Sequence, residues 1–256
     1  MILSNLAFVI AVKNGAKTIA ACLDSIAPAL AEGAHLYVYD SLSTDDTRTI
    51  VASRFPQAKY SCKKDGGLYY AWNLAIVEVV EPYIFFINCD DTLHSIKNLC
   101  SILGDLLENS DAVASSGQTI MTRTDGATRY AGSRLTRDWF VGDMPIVTPA
   151  TIFSVRALRE LNGFNVRYRI SADYDLALRM LARYGHQSVL FSPLPILHFS
   201  LGGMSNTFRK QAFTEIHHIV RINLGRVKLA MHLLLYAQIE LKRTLLNIYF
   251  GMRSKT

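Results

Sequence analysis

Asp90 and Asp91 stand side by side in FFINCDD, directly behind residues that read as a buried strand. Adjacent like charges repel, and each resists leaving water. A plain turn asks for one Asp or Asn, whereas this one carries Asn88, Asp90 and Asp91. Hard oxygen donors of this kind suit Mg2+ or Mn2+, which take one or two carboxylates and fill their other positions with phosphate and water. An ion held there would neutralise a diphosphate and make it a better leaving group. The bland alternative is a solvated Asp-Asp turn; the apolar YIFFI before it favours the ion.

Three more places carry groups able to do chemistry. Asp40 closes the run HLYVYD, ahead of a helix start at STDDT where Ser43 or Thr44 would cap and Asp45 and Asp46 would favour the dipole. Asp40 itself is left over, and could either accept a base N–H or close a turn. Asp65 precedes Gly66 and Gly67 at another strand end, where a glycine turn entering a helix could receive phosphate or be a turn only. Neither a P-loop nor a dinucleotide fingerprint is present. Asp173 and Asp175 open the helical stretch ADYDLALRM. Two apart on a helix they point in different directions, so they are poor joint ligands, but one could take a proton from an attacking hydroxyl. His198 is a candidate third metal ligand, although a lone His on an apolar strand is more often structural.

These residues fall at the ends of a regular alternation. Apolar runs at 6–12, 35–40, 58–62 and 83–88 read as strands, and helical periodicity fills 17–30, 43–55, 67–80 and 95–109. Fully apolar strands alternating with helices predict a parallel sheet covered on both faces, with ligands bound at the carboxyl ends of its strands. Residues 111–135 read instead as strands around a turn at Asp125-Gly126. A strand and short helix follow over 151–164, a helix over 171–185, and a short strand after Pro193 and Pro195.

The net charge of +6 is unevenly spread. Residues 1–208 hold 18 Lys and Arg against 19 Asp and Glu, and residues 209–256 hold 9 against 2. We therefore expect a main domain over 1–208 and a basic, amphipathic helical extension over 209–256, docking on an anionic membrane surface. The alternatives for that tail are packing back on the core and pairing with another subunit in a homo-oligomer. No nucleic-acid reader motif accompanies the charge, so nucleic acid is not expected as a partner. Cys22, Cys62, Cys89 and Cys100 show no paired spacing and read as reduced thiols, which suits the cytoplasm, with peripheral association at the inner face of the plasma membrane. No segment offers the uninterrupted apolar length of a membrane span.

Taken in order, six stretches over residues 5–206 resemble a family 2 glycosyltransferase of the GT-A fold. VIAVKNGAKTIAACLDSI resembles the opening strand, loop and helix. YDSLSTDDT resembles D-G-x-S-T-D-G-T, with Ser41 and Asp46 in the glycine places. KDGGLYYAWNLAI resembles D-x-G-x-Y-D-A-x-N-x-G-I, with Tyr70 for Asp and Ala75 for Gly. FFINCDD resembles the metal-binding D-x-D region with Asn88 in the first acidic place; ADYDLALRM and FSLGGMSN resemble the later helix and loop.

The resemblance implies an α/β GT-A fold, a mixed sheet flanked by helices, and an inverting sugar transfer. The donor would be a nucleotide diphosphate sugar, a UDP-sugar first, and the acceptor a saccharide or lipid-linked saccharide in polysaccharide or glycoconjugate synthesis. Asp40 would contact the base, Asp65 and Asn73 would help form the nucleotide-sugar pocket, and Asp90, with Asp91, would bind Mn2+ or Mg2+ and the diphosphate. Asp173 would be the general base. Tyr70, Leu74 and Ser200 depart from the polar residues common at those places. The competing functions are a sugar nucleotidyltransferase, for which VKNGAKT offers only a poor phosphate loop, and a nucleotide-sugar-binding protein without catalysis.

Overall fold

A computed structural model describes residues 2–64, 66–122, 126–132, 146–200, 208, 210–224 and 233. The apolar runs become β1 (Leu6–Val12), β2 (His35–Asp40), β3 (Lys59–Cys62) and β4 (Tyr83–Phe86), separated by α1 (Ile19–Ala31), α2 (Thr47–Arg54) and α3 (Leu68–Glu78). Then come β5 (Thr92–Leu93), α4 (Ile96–Glu108), β6 (Ala114–Thr122), β7 (Thr128–Ala131), β8 (Thr151–Ser154), α5 (Val155–Glu160), α6 (Ala172–Tyr184) and β9 (Val189–Phe199). A further helical segment, α7, covers 210–224.

One mixed sheet joins the strands in the order β3-β2-β1-β4-β8-β6-β9-β5, with β7 on the side of β6. The pairs among β1 to β4 are parallel, while β8 runs antiparallel to both β4 and β6. The chain winds outward from β1 to β3 and then returns to β4 on the other flank of β1. That reversal opens a crevice beyond the carboxyl ends of β1 and β4, the usual ligand position in such sheets.

Alternation along each strand divides the core in two. Leu6, Phe8 and Ile10 of β1, with Leu36, Val38, Phe85 and Ile87, face α1 and α4. Ala7 and Val9, with Tyr37, Tyr39, Ile84 and Phe86, face α3, α5 and α6. Being buried on both sides is why these strands read as unbroken apolar runs. The second layer also takes Ile219 and Val220 from α7, both fully buried. Residues 210–224, grouped by charge with the C-terminal extension, thus share the core of the main body.

Two local expectations change. The strand near the C-terminus is not confined to the residues after Pro195 but runs from Val189 through both prolines. Proline lacks the ladder N–H and is tolerated at irregularities, and the β6–β9 register shifts on either side of Gln118, which lies opposite Pro195. Ser43 does not cap α2, whose cap position falls on Asp46 without a side-chain bond. Asp125, expected in the β6–β7 turn, lies outside the described residues, as do residues 225–232 and 234–256 of the basic extension.

Candidate active site

The first cluster forms where β1, β2 and β3 end, with Val12, Asp40 and Cys62 in register across the three strands. Asp40 is buried. Its Oδ1 accepts the Ser43 N–H at 2.8 Å and the Ser43 hydroxyl at 2.6 Å, and its Oδ2 accepts the Tyr60 hydroxyl. This local turn, which stops β2, is the kind Asp favours. It is laced to the β1–α1 loop: the N–H groups of Asn14, Gly15 and Ala16 donate to Ser43 Oγ at 2.8 Å, Thr47 Oγ1 at 2.9 Å and Asp45 Oδ2 at 3.0 Å. Asn14 Oδ1 accepts the Thr44 N–H in return, at 2.8 Å. A Cβ on Gly15 would meet Val12 Cγ2 at 2.5 Å and Cys89 Sγ at 3.2 Å, so glycine is what lets these loops close on each other. The hydroxyl of Thr47 holds the Asp45 carboxyl below its ordinary range.

The third loop at this edge holds the aspartate pair, and the structure divides it. Asp91 is buried, accepting the Asn88 side-chain amide and the Ser200 N–H, each at 2.8 Å. Burial pushes its carboxyl up to about 7 despite those two bonds. Asp90 is exposed. The Cys22 thiol donates to the Asn88 carbonyl at 3.5 Å, tying the turn to α1. The donor set suits Mg2+ or Mn2+ in the open manner those ions use, with an exposed carboxylate for the protein share and phosphate and water for the rest. Among the described residues no three His, Cys, Asp or Glu side chains converge as they would around an ion held by protein alone. The four cysteines are free.

Asp173 sits half-buried in the first turn of α6. Burial pushes its carboxyl up to about 6, while the Tyr174 N–H at 2.8 Å and the Tyr69 hydroxyl favour its charged form. The Tyr69 hydroxyl, on α3, lies beside both that carboxyl and the Ile170 carbonyl, which is 2.7 Å away. Asp175 is buried and differently employed, since its Oδ2 takes Arg179 Nε at 2.7 Å. Arg179 goes on to the carbonyls of Leu161 and Gly163 at 2.6 and 2.7 Å. The two acids on one helix turn are thus a reactive candidate and a brace.

Three sequence candidates remain. Asn73 places both ends of its amide on the backbone of Phe164, donating to the carbonyl at 2.8 Å and accepting the N–H at 2.7 Å. His198 lies at the β5–β9 edge with Nε2 2.8 Å from His94 Nδ1. Burial and the His94 charge keep its imidazole below the ordinary range. Asp65 lies outside the described residues. Trp72 of α3 packs tilted against Phe86, ring centres 4.7 Å apart, and Phe86 leads into the Asn88–Asp91 turn.

Sequence reasoning passed over Tyr60, the Ser200 N–H and Glu215. Glu215 carries a signal: it is one of two acids in the basic stretch 209–256.

The family model for glycosyl transferase family 2 matches residues 7–161. The chain belongs to that family. Among its relatives, this family 2 glycosyltransferase is 26% identical over 212 residues to the PGL/p-HBAD biosynthesis glycosyltransferases of Mycobacterium bovis and Mycobacterium tuberculosis, the match covering 79% of each chain. Its fold is similar to that of Staphylococcus aureus TarS 1–349, with TM-score 0.62 at 15% identity over 89% of this chain and 70% of that one. It is equally similar, at 0.62 and 14% identity, to the mannosyltransferase PcManGT from Pyrobaculum calidifontis in complex with GDP-Man and Mn2+, over 98% and 83% of the two chains. Glucosyl-3-phosphoglycerate synthase from Mycobacterium tuberculosis, in complex with Mn2+, UDP and glucosyl-3-phosphoglycerate, gives 0.62 at 15% identity over 87% and 82%. These likenesses establish the GT-A fold of this family 2 enzyme.

Proposed function

We propose that this glycosyltransferase moves a sugar from a nucleoside diphosphate sugar, uridine being the favoured nucleoside, to a hydroxyl of a saccharide or lipid-linked saccharide, with inversion. The observation that carries this reading is Asp173: a half-buried carboxylate in the first turn of α6, beside Tyr69 of α3, whose pKa is raised to about 6 by its surroundings. A base needs a pKa near the operating pH and a fixed position. Asp173 takes the proton from the acceptor hydroxyl as that oxygen bonds to the anomeric carbon. The bond from the anomeric carbon to the diphosphate oxygen breaks on the opposite face, and the nucleoside diphosphate leaves. One base suffices, because no second carboxylate has to activate water.

The laced loops around Asp40 form the wall for the nucleoside, with Asp65 assigned there on its place in the sequence. Asn73 acts through the 163–164 loop that it clamps. Asp90 would hold Mn2+ or Mg2+, with Asp91 fixing the turn that presents it. The relatives solved with Mn2+ support that choice. Such an ion, when bound, neutralises charge on the departing diphosphate.

The test is single-turnover transfer from labelled UDP-, GDP- and dTDP-hexoses to saccharide acceptors, comparing the native chain with Asp173→Asn. Donor binding retained with transfer lost and an inverted anomer in the native product are expected. Transfer by neither protein would point instead to a nucleotide-sugar binder.

A further inference from the structure

α7 meets the loop that leads to the proposed base, and one of its side chains makes most of the bonds. Glu215 Oε2 accepts the N–H groups of Ile170 and Ser171, each at 2.9 Å, and Oε1 accepts that of Arg169 at 3.1 Å. Three consecutive main-chain donors converge on one carboxylate, a concave arrangement of N–H groups that favours an anion. Gln211, one turn earlier, steadies it by donating to Oε1 at 3.0 Å. The Ser171 hydroxyl donates to the Ala212 carbonyl at 3.3 Å, and the Tyr168 ring lies 6.0 Å from that of His218. Ser171 is the cap position of α6, two residues before Asp173, and it makes no side-chain cap bond of its own. The segment leading into α6 has no regular structure to set its path; Glu215, which takes three of its main-chain N–H groups, helps to set it, together with the Tyr69 and Ser171 contacts.

We infer that Glu215 is a positioning residue for the transfer reaction, fixing where Asp173 stands in the crevice. The inference rests on the reading of Asp173 as the base. Its consequence is electrostatic as well as geometric, because the Glu215 charge adds to the burial that holds the Asp173 proton. Among the described residues the titratable and charged groups around this region include Tyr69 from α3, His218 from α7, and Arg167, Tyr168, Arg169, Tyr174, Asp175 and Arg179 from α6 and the loop before it.

The experiment uses the full chain with Mn2+ and the nucleotide sugar that turns over fastest in the panel above. Glu215→Gln and Glu215→Asp are compared with the native protein and with Asp173→Asn. In Glu215→Gln, kcat should fall roughly ten- to a hundredfold, calorimetric affinity for UDP should stay near native, and the acid limb of the kcat profile should move to lower pH. Glu215→Asp keeps the charge and should recover part of the rate with the limb in its native place. Native kcat with an unmoved limb in Glu215→Gln overturns the inference. So does a fall in kcat that only follows loss of folded protein on heating, with the limb unmoved. Full turnover by Asp173→Asn sinks the base reading and the inference with it, so that variant tells the two failures apart.

Discussion

The carboxylate of Asp91 and the main-chain N–H of Ser200 meet at 2.8 Å across 109 positions of sequence. That contact fixes the aspartate turn to the end of β9, and it separates two neighbours of identical chemistry into a buried fastener and an exposed carboxylate.

Asparagine at either position should therefore have opposite effects. Asp91→Asn points an amide donor at Asn88 or at the Ser200 N–H, which should cost about 1–3 kcal/mol in urea unfolding. Asp90→Asn, at an exposed site, should stay within roughly 0.5 kcal/mol of native. Its loss should appear in calorimetry, as UDP affinity that no longer differs between Mn2+ and chelator buffers. Equal stability of the two variants would refute the division.

Arg179 holds a buried carboxylate and two carbonyls at once. Arg179→Ala strands the Asp175 charge, and breaking a buried pair from one side costs about 3–5 kcal/mol. Denaturant unfolding of Arg179→Ala, Asp175→Ala and the double variant should show the double less impaired than the sum of the singles.

Gly163 has φ +63, and a Cβ there would lie 2.3 Å from Asn73 Oδ1. Gly163→Ala should break the clamp on Phe164 as well as strain the backbone, so it should destabilise at least as much as Asn73→Ala, which is expected to cost about 1–3 kcal/mol for the stranded N–H and carbonyl. In Asn73→Ala, adding Gly163→Ala should cost less than it does in the native chain; strict additivity in a thermal-melt cycle would argue against a shared contact.

A base must be unprotonated to act, and the Asp173 carboxyl is raised to about 6, chiefly by burial. Turnover should therefore climb as pH rises through about 6 and level off above it, with roughly a tenfold loss for each unit below the limb. A rate that climbs only near the ordinary carboxylate range, about 4, would mean a different base.

Residues 225–256 carry Arg226, Lys228, Lys242, Arg243, Arg253 and Lys255 against Glu240. Each basic group near an anionic leaflet contributes about 1 kcal/mol. Deleting 225–256 should release the protein from phosphatidylglycerol vesicles in a sedimentation assay and leave UDP binding intact; unchanged sedimentation would leave the tail without that role. Among the described residues no helix is long and apolar enough to cross a membrane.

Much of the sheet was legible because a parallel strand buried on both faces leaves an unmistakable apolar run, as in Leu6–Val12 and His35–Asp40. The two-residue β5 was not, since only its pairing with Leu197 and His198 makes Thr92 and Leu93 a strand. Asp40, Asp90 and Asp173 stood out as charges placed at the ends of apolar or helical patterns. What sequence could not rank was Asp90 against Asp91, because exposure there depends on Ser200, supplied from another strand end. Glu215 carried only the signal of an acid in a basic stretch, and its role could not be read because its partners are main-chain N–H groups, which carry no residue signature.

Ile219 and Val220 fill the same apolar layer as Trp72 and Phe86. Anyone trimming this gene to a minimal catalytic unit would be tempted to stop codons at the change in charge near 208. Such a chain would leave part of that apolar layer open to water, inviting aggregation in the host cell, so the shortest useful product ends no earlier than Leu224, which packs against the same layer.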